Sequence, residues 1–573
     1  MDLARSEVAP VRADRAGSAA RLALMVLPVA FFAVFFAWPV ASIVERGLRP
    51  DGHWELGRFG ETLARPEILD VLWFTLWQAL ASTALTLLVA LPGAFVFARF
   101  DFPGKRILRA VVTVPFVLPT VMVGTAFLAL VGRRGLLDTW WGVRLDTSVW
   151  AILIAHVFFN YAVVVRTVGG LWSQLDPRQE EAARVLGASR WRAWRTVTLP
   201  ALGPAVASAA LMVFLFTASS FGIVQILGGP AYSTLETEIY RQTADRLQLS
   251  TAAVLTMVQF VAVGVVLAVH ARTVRRRETA LKLVPAERTA RRPRGAGQWA
   301  LLGAVLLSIA LLILAPLGVL VERSLATPTG YGLDYYRALQ RVDDHGTFLV
   351  PMTDTIVNSL QYALAATGIA VVIGGLAAAA LTLPRSRLRS NGGTPMADRL
   401  VRGFDALLML PLGVSAVTVG FGFLITLDEP PLDLRATWIL VPLAQALVGV
   451  PFVVRTMLPV LRAVDERLRE AAAVLGASRW RAWREVDLPL VRRALLIAAG
   501  FAFAVSLGEF GATVFIARPD NPTLPVAVAR LLNRPGELNY GQAMALSTIL
   551  MVVCAVSLLL LERLRTDRTP GEF

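Results

Sequence analysis

From residue 21 to within about ten residues of the C-terminus, the chain alternates long apolar runs with short polar stretches. A bilayer-crossing helix needs about 20 mostly apolar residues. Twelve runs meet that length, six in each half of the chain. In the first half they cover roughly 21–44, 71–98, 107–131, 148–172, 200–226 and 250–270. In the second they cover roughly 298–321, 355–383, 402–427, 436–460, 490–517 and 541–562. The pattern predicts an all-α polytopic membrane protein. The first run follows Arg12, Arg15 and Arg21, as a secretory leader would, but it ends in "WPVASIVERG" without a small-residue cleavage pattern. It is expected to remain as a span.

The polar stretches set the orientation. If the N-terminal tail (1–20) is cytoplasmic, every second connection is basic, as the positive-inside rule requires. These connections carry Arg99, Lys105, Arg106 and Arg109, then residues 176–200, 271–297, the run Arg385, Arg387, Arg389, Arg399 and Arg402, then 465–489 and the tail 563–573. Both termini are therefore expected on the cytoplasmic side of a bacterial plasma membrane. Residues 271–297 hold nine basic and two acidic residues with Pro and Gly, little to bury, and mark the expected linker between halves 21–270 and 298–562. Composition agrees: 56% of residues are hydrophobic and only 17% charged, too apolar for an ordinary soluble protein. The net charge of +15 is spread through these connections, which argues for a lipid boundary and against nucleic acid. The single Cys554 lies in an apolar run and excludes an internal disulfide framework, and four scattered histidines make no metal cluster.

Two of the basic connections are nearly the same. "EEAARVLGASRWRAWRTVTLP" (180–200) recurs 289 residues later as "REAAAVLGASRWRAWREVDLP" (469–489), with seventeen of twenty-one positions identical. At the same offset "VVVRT" (163–167) recurs as "FVVRT" (452–456), Phe221-Gly222 as Phe510-Gly511, and Arg241 as Arg530. An even number of spans per copy leaves both copies facing the same way, so this is a tandem duplication in parallel topology.

Locally the repeated stretch reads as two short helices with a break. Asp176 and Asp465 are candidate caps, with Pro177 at a first helical position. Gly187 and Gly476 supply a turn with positive φ, and Ser189 and Ser478 can cap the second helix. Trp191 and Trp194 then share a face while Arg190, Arg192 and Arg195 point elsewhere, and Pro200 and Pro489 open the next span. A simple interfacial anchor would need an apolar face and basic residues but no fixed order. Here the order is kept twice, which suggests docking of a partner that is itself two-fold.

The pattern Glu-Ala-Ala, three residues, Gly, nine residues, Val, one residue, Leu-Pro is similar to the signature loop of permease subunits of binding-protein-dependent ABC importers. It stands here as Glu181-Ala182-Ala183, Gly187, Val197, Leu199-Pro200 and as Glu470-Ala471-Ala472, Gly476, Val486, Leu488-Pro489. The resemblance spans essentially the whole chain and implies two tandem six-helix MetI-like permease halves. It also implies that the two loops are coupling helices, each seated on one of two copies of a cytoplasmic ABC ATPase. An extracytoplasmic solute-binding protein would deliver a small molecule or ion. The chain contains no Gly-x-x-x-x-Gly-Lys-Ser/Thr phosphate loop, so it is expected to carry no cofactor and no enzymatic activity, with ATP and Mg bound by the partner.

Fusion of both halves resembles the thiamine and iron(III) importer groups. "LIAHVFFN" (153–160), "VGRRGLL" (131–137) and "SSFGIVQILGGPAYSTLETEIY" (219–240) favour the thiamine type, whereas "SLGEFGATVFIARPDNPTLPVAVA" (506–529) is shared with iron(III) and molybdate or sulfate permeases. Polar groups inside spans are costly and mark candidate pathway positions: Glu509, its counterpart Ser220, and His156 with Asn160 one helical turn on. For Glu509 a capping role at the outer gate competes with contact to a cationic solute, and His156 is equally readable as a packed, hydrogen-bonded residue. A secondary transporter of the major facilitator type shares the twelve-span outline but not the repeated motif. A membrane enzyme would need a clustered set of catalytic side chains that the sequence does not show.

Overall fold

The computed structural model describes residues 23–49, 52–133, 135–276, 284–285, 289–340, 351–382, 403–405, 407–411, 414–428, 430 and 432–566. The N-terminal tail, the run from Arg385 to Arg402 and most of the C-terminal tail lie outside them.

Eleven helices among the described residues are long and apolar enough to cross a membrane, and one bent pair brings the total to twelve. In the first half these are α1 (Ala23–Leu48), α2 (Pro66–Arg99), the span Thr120–Trp141, which opens with α4 (Thr120–Val131) and is preceded by α3 (Lys105–Val117), then α5 (Val149–Gln174), α7 (Arg190–Ala218) and α10 (Leu249–Arg276). Between them lie the short α6 (Arg178–Val185), α8 (Gly222–Leu227) and α9 (Leu235–Tyr240). The second half repeats the order as α11 (Ala296–Leu325), α12 (Met352–Thr382), α13 (Gly403–Pro411), α14 (Ala416–Thr426), α15 (Leu440–Ala463), α16 (Glu466–Val474), α17 (Trp480–Leu507), α18 (Thr513–Ile516), α19 (Leu524–Leu532) and α20 (Glu537–Thr566). A two-residue hairpin, Ala326–Thr327 with Gly330–Tyr331, follows α11.

Two expected spans are broken in each half. The run 107–131 divides at Leu118-Pro119, because proline offers no N–H and forces Leu118 into an extended conformation (φ −70, ψ 140). Its counterpart 402–427 bends by 95° between α13 and α14. The runs 200–226 and 490–517 stop at Ala218 and Leu507 and resume as short helices.

Each half is built on three packed helices, α2, α5 and α7 in the first and α12, α15 and α17 in the second. Buried small residues line the crossings: Ala79, Ala90, Ala94, Ala155 and Ala209 in one core, Ala366, Ala370, Ala377, Ala444 and Ala502 in the other. With lipid tails as apolar as leucine, close backbone approach at such residues drives association. The halves also exchange the N-terminal parts of their first helices. Phe31, Phe32 and Phe36 of α1 are buried in the core of the second half, and Phe35 packs on Phe423. Leu302, Val305 and Ile309 of α11 are buried in the core of the first half.

Candidate coupling surface and translocation seam

Both repeated stretches fold the same way. Asp176 Oδ1 accepts from the Arg178 N–H at 3.0 Å and Asp465 Oδ1 from the Arg467 N–H at 3.0 Å, capping α6 and α16. The motif alanines close the helices through their carbonyls. Ala182 accepts from Leu186 and Ala183 from Ala188, both at 3.1 Å, and Ala471 accepts from Leu475 at 3.1 Å and Ala472 from Ala477 at 2.9 Å. The reversal needs φ values of +91° at Gly187 and +81° at Gly476, a region that favours glycine. Ser189 and Ser478 then cap α7 and α17 by accepting from Arg192 and Arg481. Trp191 stacks on Trp194 at 5.0 Å and Trp480 on Trp483 at 4.8 Å.

Three of the four positions at which the copies differ are locally compensated. In the first copy Thr198 donates to Glu180 at 2.9 Å; in the second, the same two places hold Asp487 and Arg469, which pair at 2.8 Å. Glu485 replaces Thr196 and pairs with Arg481 at 3.0 Å. The duplicated geometry therefore survives a reversal of charge. A cavity of about 440 Å³ under the first copy is lined by Phe95, Arg99, Trp172, Glu180, Arg190, Trp191, Trp194 and Thr198.

The tip of each element presents an apolar pair that sequence reasoning passed over. Val185 and Leu186 are 87% and 88% exposed, Val474 and Leu475 86% and 87%. Glu181 is half exposed and pairs with Arg291 of the linker at 3.3 Å; Glu470 is exposed. The linker was expected to have little to bury, yet its described part is laid along the first half. The backbone of Arg291 donates to the Arg99 carbonyl and accepts from the Asp101 N–H, Val284 donates to the Gln174 carbonyl, and the buried Thr289 donates to the Ser173 carbonyl.

At the other end of α7, roughly 40 Å away at 1.5 Å per residue, the two halves meet. Phe221 stacks on Phe510 at 5.1 Å, and Tyr240 meets Phe221 and Phe515, each at 5.5 Å. A Cβ on Gly222 would lie 2.3 Å from Thr120 Oγ1, and one on Gly511 3.0 Å from Ala416 Cβ, so the repeated Phe-Gly pairs let α4 and α14 approach closely. The repeated arginines pin the loops before α9 and α19: Arg241 donates to the Gly229 carbonyl at 2.6 Å, Arg530 to the Ala517 carbonyl at 3.2 Å. Thr75 accepts from the Leu235 N–H at 2.9 Å, and Ser359 accepts from the Leu524 N–H at 2.7 Å.

Three of the four predicted pathway residues come together. His156, 1% exposed, bridges Ser82 (Nδ1, 3.0 Å) and Ser220 (Nε2, 2.9 Å), and Asn160 donates to the His156 carbonyl at 3.0 Å. Asn160 Oδ1 is buried with no hydrogen-bond partner among the described residues. Glu509 is turned to its own backbone, accepting from Ala512 at 2.7 Å and Thr513 at 3.0 Å to cap α18. Sequence reasoning missed Ser82 and the fully buried Glu236 of α9.

The family of binding-protein-dependent transport system inner membrane components matches residues 90–277 and 370–566, one copy around each repeated element. The chain belongs to this family. It is a multi-pass inner-membrane permease of the ABC importer type. Among its relatives, the thiamine transport system permease of Brucella abortus is 26% identical over 504 residues, covering 86% of this permease and 87% of the relative. That of Escherichia coli is 26% identical over 501 residues, covering 86% and 88%. The sulfate transport system permease of Escherichia coli is 30% identical over 186 residues, covering 32% of this permease and 67% of the relative. A solved bacterial ABC transporter involved in alginate import aligns with 47% of the permease and 99% of its own chain, at 16% identity and TM-score 0.38.

Proposed function

We propose that this permease forms the translocation pathway of an ATP-driven thiamine importer. The observation that carries the solute is similarity to thiamine permeases across 86% of the chain, through both halves, whereas the sulfate permease matches 32%. Val185-Leu186 and Val474-Leu475, with Glu181 and Glu470 beside them, would each enter a groove of one ATPase copy, giving two ATPases per permease. Both coupling elements and both termini would then be cytoplasmic, and a solute-binding protein would dock at the opposite end. ATP-driven closure of the ATPases would draw α6 and α16 together and part the halves at the aromatic seam as rigid bodies. His156, Ser220 and Asn160, with its unpartnered acceptor, are the polar groups placed to meet a solute as it passes that seam; Glu509 supports the wall. The test is uptake of labelled thiamine by proteoliposomes containing the permease, its ATPase and its binding protein. ATP-dependent accumulation supports the assignment; accumulation of sulfate or iron(III) but not thiamine overturns it. Glu181→Lys with Glu470→Lys is expected to abolish stimulation of ATP turnover by the permease.

A further inference from the structure

Glu236 is 0% exposed and lies on α9, at the end of the pathway far from the coupling elements. Its Oε1 accepts from Gln259 of α10, and its Oε2 accepts at 2.5 Å from the hydroxyl of Ser415, the residue that opens α14 in the other half. Both donors are neutral. Two residues on, Glu238 has Arg246 at 3.3 Å, so the segment does hold a cation for an acid that only needs solvating company. A buried carboxyl with neutral partners in a membrane is expensive to keep. Of these two side-chain partners, Gln259 lies in the same half and Ser415 lies across the seam. The duplication supplies an internal control. The position equivalent to Glu236 is Pro525, and aligning Val121 and Gly124 with Val417 and Gly420 places Pro119 opposite Ser415. Neither proline carries a side-chain hydrogen-bonding group, so this bond exists once rather than twice.

We propose that the Glu236–Ser415 hydrogen bond is a one-sided latch that holds the two halves shut at the end opposite the coupling elements, and that it must break for that end to open. The latch needs only that the halves part there, whichever solute is carried. Its test is a distance between the halves, read by pulsed electron spin resonance. Labels are placed at Leu247→Cys, after α9, and at Trp438→Cys, before α15, in a Cys554→Ala permease assembled with its ATPase; both label sites are exposed. Without nucleotide or solute, Ser415→Ala and Glu236→Leu are expected to raise the separated population about tenfold, as leaving one partner of a buried hydrogen bond unsatisfied would. Glu236→Gln, which keeps an acceptor for Ser415, is expected to retain the short distance. If Glu236→Leu fails to assemble, Ser415→Ala decides alone. An unchanged distance distribution in Ser415→Ala overturns the latch, whether or not the permease carries thiamine.

Discussion

Single residues in the two repeated elements divide into those that shape the turn and those that face outward. Val185, Leu186, Val474 and Leu475 are almost fully exposed, so replacing them removes little packing. Val185→Asp with Leu186→Asp is expected to weaken ATPase binding at least about tenfold, measured by co-purification or surface plasmon resonance, with the thermal transition unchanged. The compensated pair offers a sharper test. Thr198→Asp alone sets a carboxylate against Glu180 and is expected to cost about 1 kcal/mol. Adding Glu180→Arg recreates the pairing of Arg469 with Asp487 and is expected to restore the transition, a double-mutant cycle read by thermal unfolding. The caps and turns were legible because Asp, Gly and Ser act locally. The exposed pair carried a signal too, since "VLGAS" is kept in both copies on an otherwise polar element. Glu236 was not legible: nothing local distinguishes it from Glu238 in "STLETEIYR", and only the fold brings Ser415 to it from 179 residues away.

Elements were readable wherever hydropathy alone decides them, and misread where a helix stops inside an apolar run. Leu118-Pro119 breaks one run through proline chemistry visible in the sequence. Ala218 and Leu507 end α7 and α17 for a reason the hydropathy pattern cannot register: the next turns are needed at the seam, where Glu509 takes up the freed N–H groups of α18. Gly222 and Gly511 make those turns fit under α4 and α14. Gly222→Val and Gly511→Val are each expected to destabilise the permease by about 1–3 kcal/mol, the usual range for overpacking, and the loss should appear in detergent-solubilised thermal unfolding. Gly187→Ala acts elsewhere, since open space surrounds that glycine and only its φ of +91° is strained by a Cβ. It is expected to loosen α6 and reduce ATPase binding with little effect on global stability.

The duplication made the architecture of the whole molecule legible, because six spans on each side of a basic linker, with one motif in each half, leave few arrangements open. The exchange of α1 and α11 was not, since all-round apolar helices carry no address for the half on which they pack. A permease lacking residues 1–49 is expected to lose protease resistance first in α14 and α15, because Phe31, Phe32 and Phe36 are part of that core. Native mass spectrometry of the assembled importer is expected to give one permease per two ATPases. The exchange also has a consequence for biosynthesis. Phe35 leaves the ribosome first, and its partner Phe423 follows 423 − 35 = 388 residues later. At 5–20 residues per second, the N-terminal part of α1 is in the bilayer for roughly 20–80 s before its packing surface in the second half exists. Insertion of this permease therefore includes a long interval in which the phenylalanine face of α1 is uncovered, during which an insertase or a neighbouring membrane protein has its best opportunity to capture it.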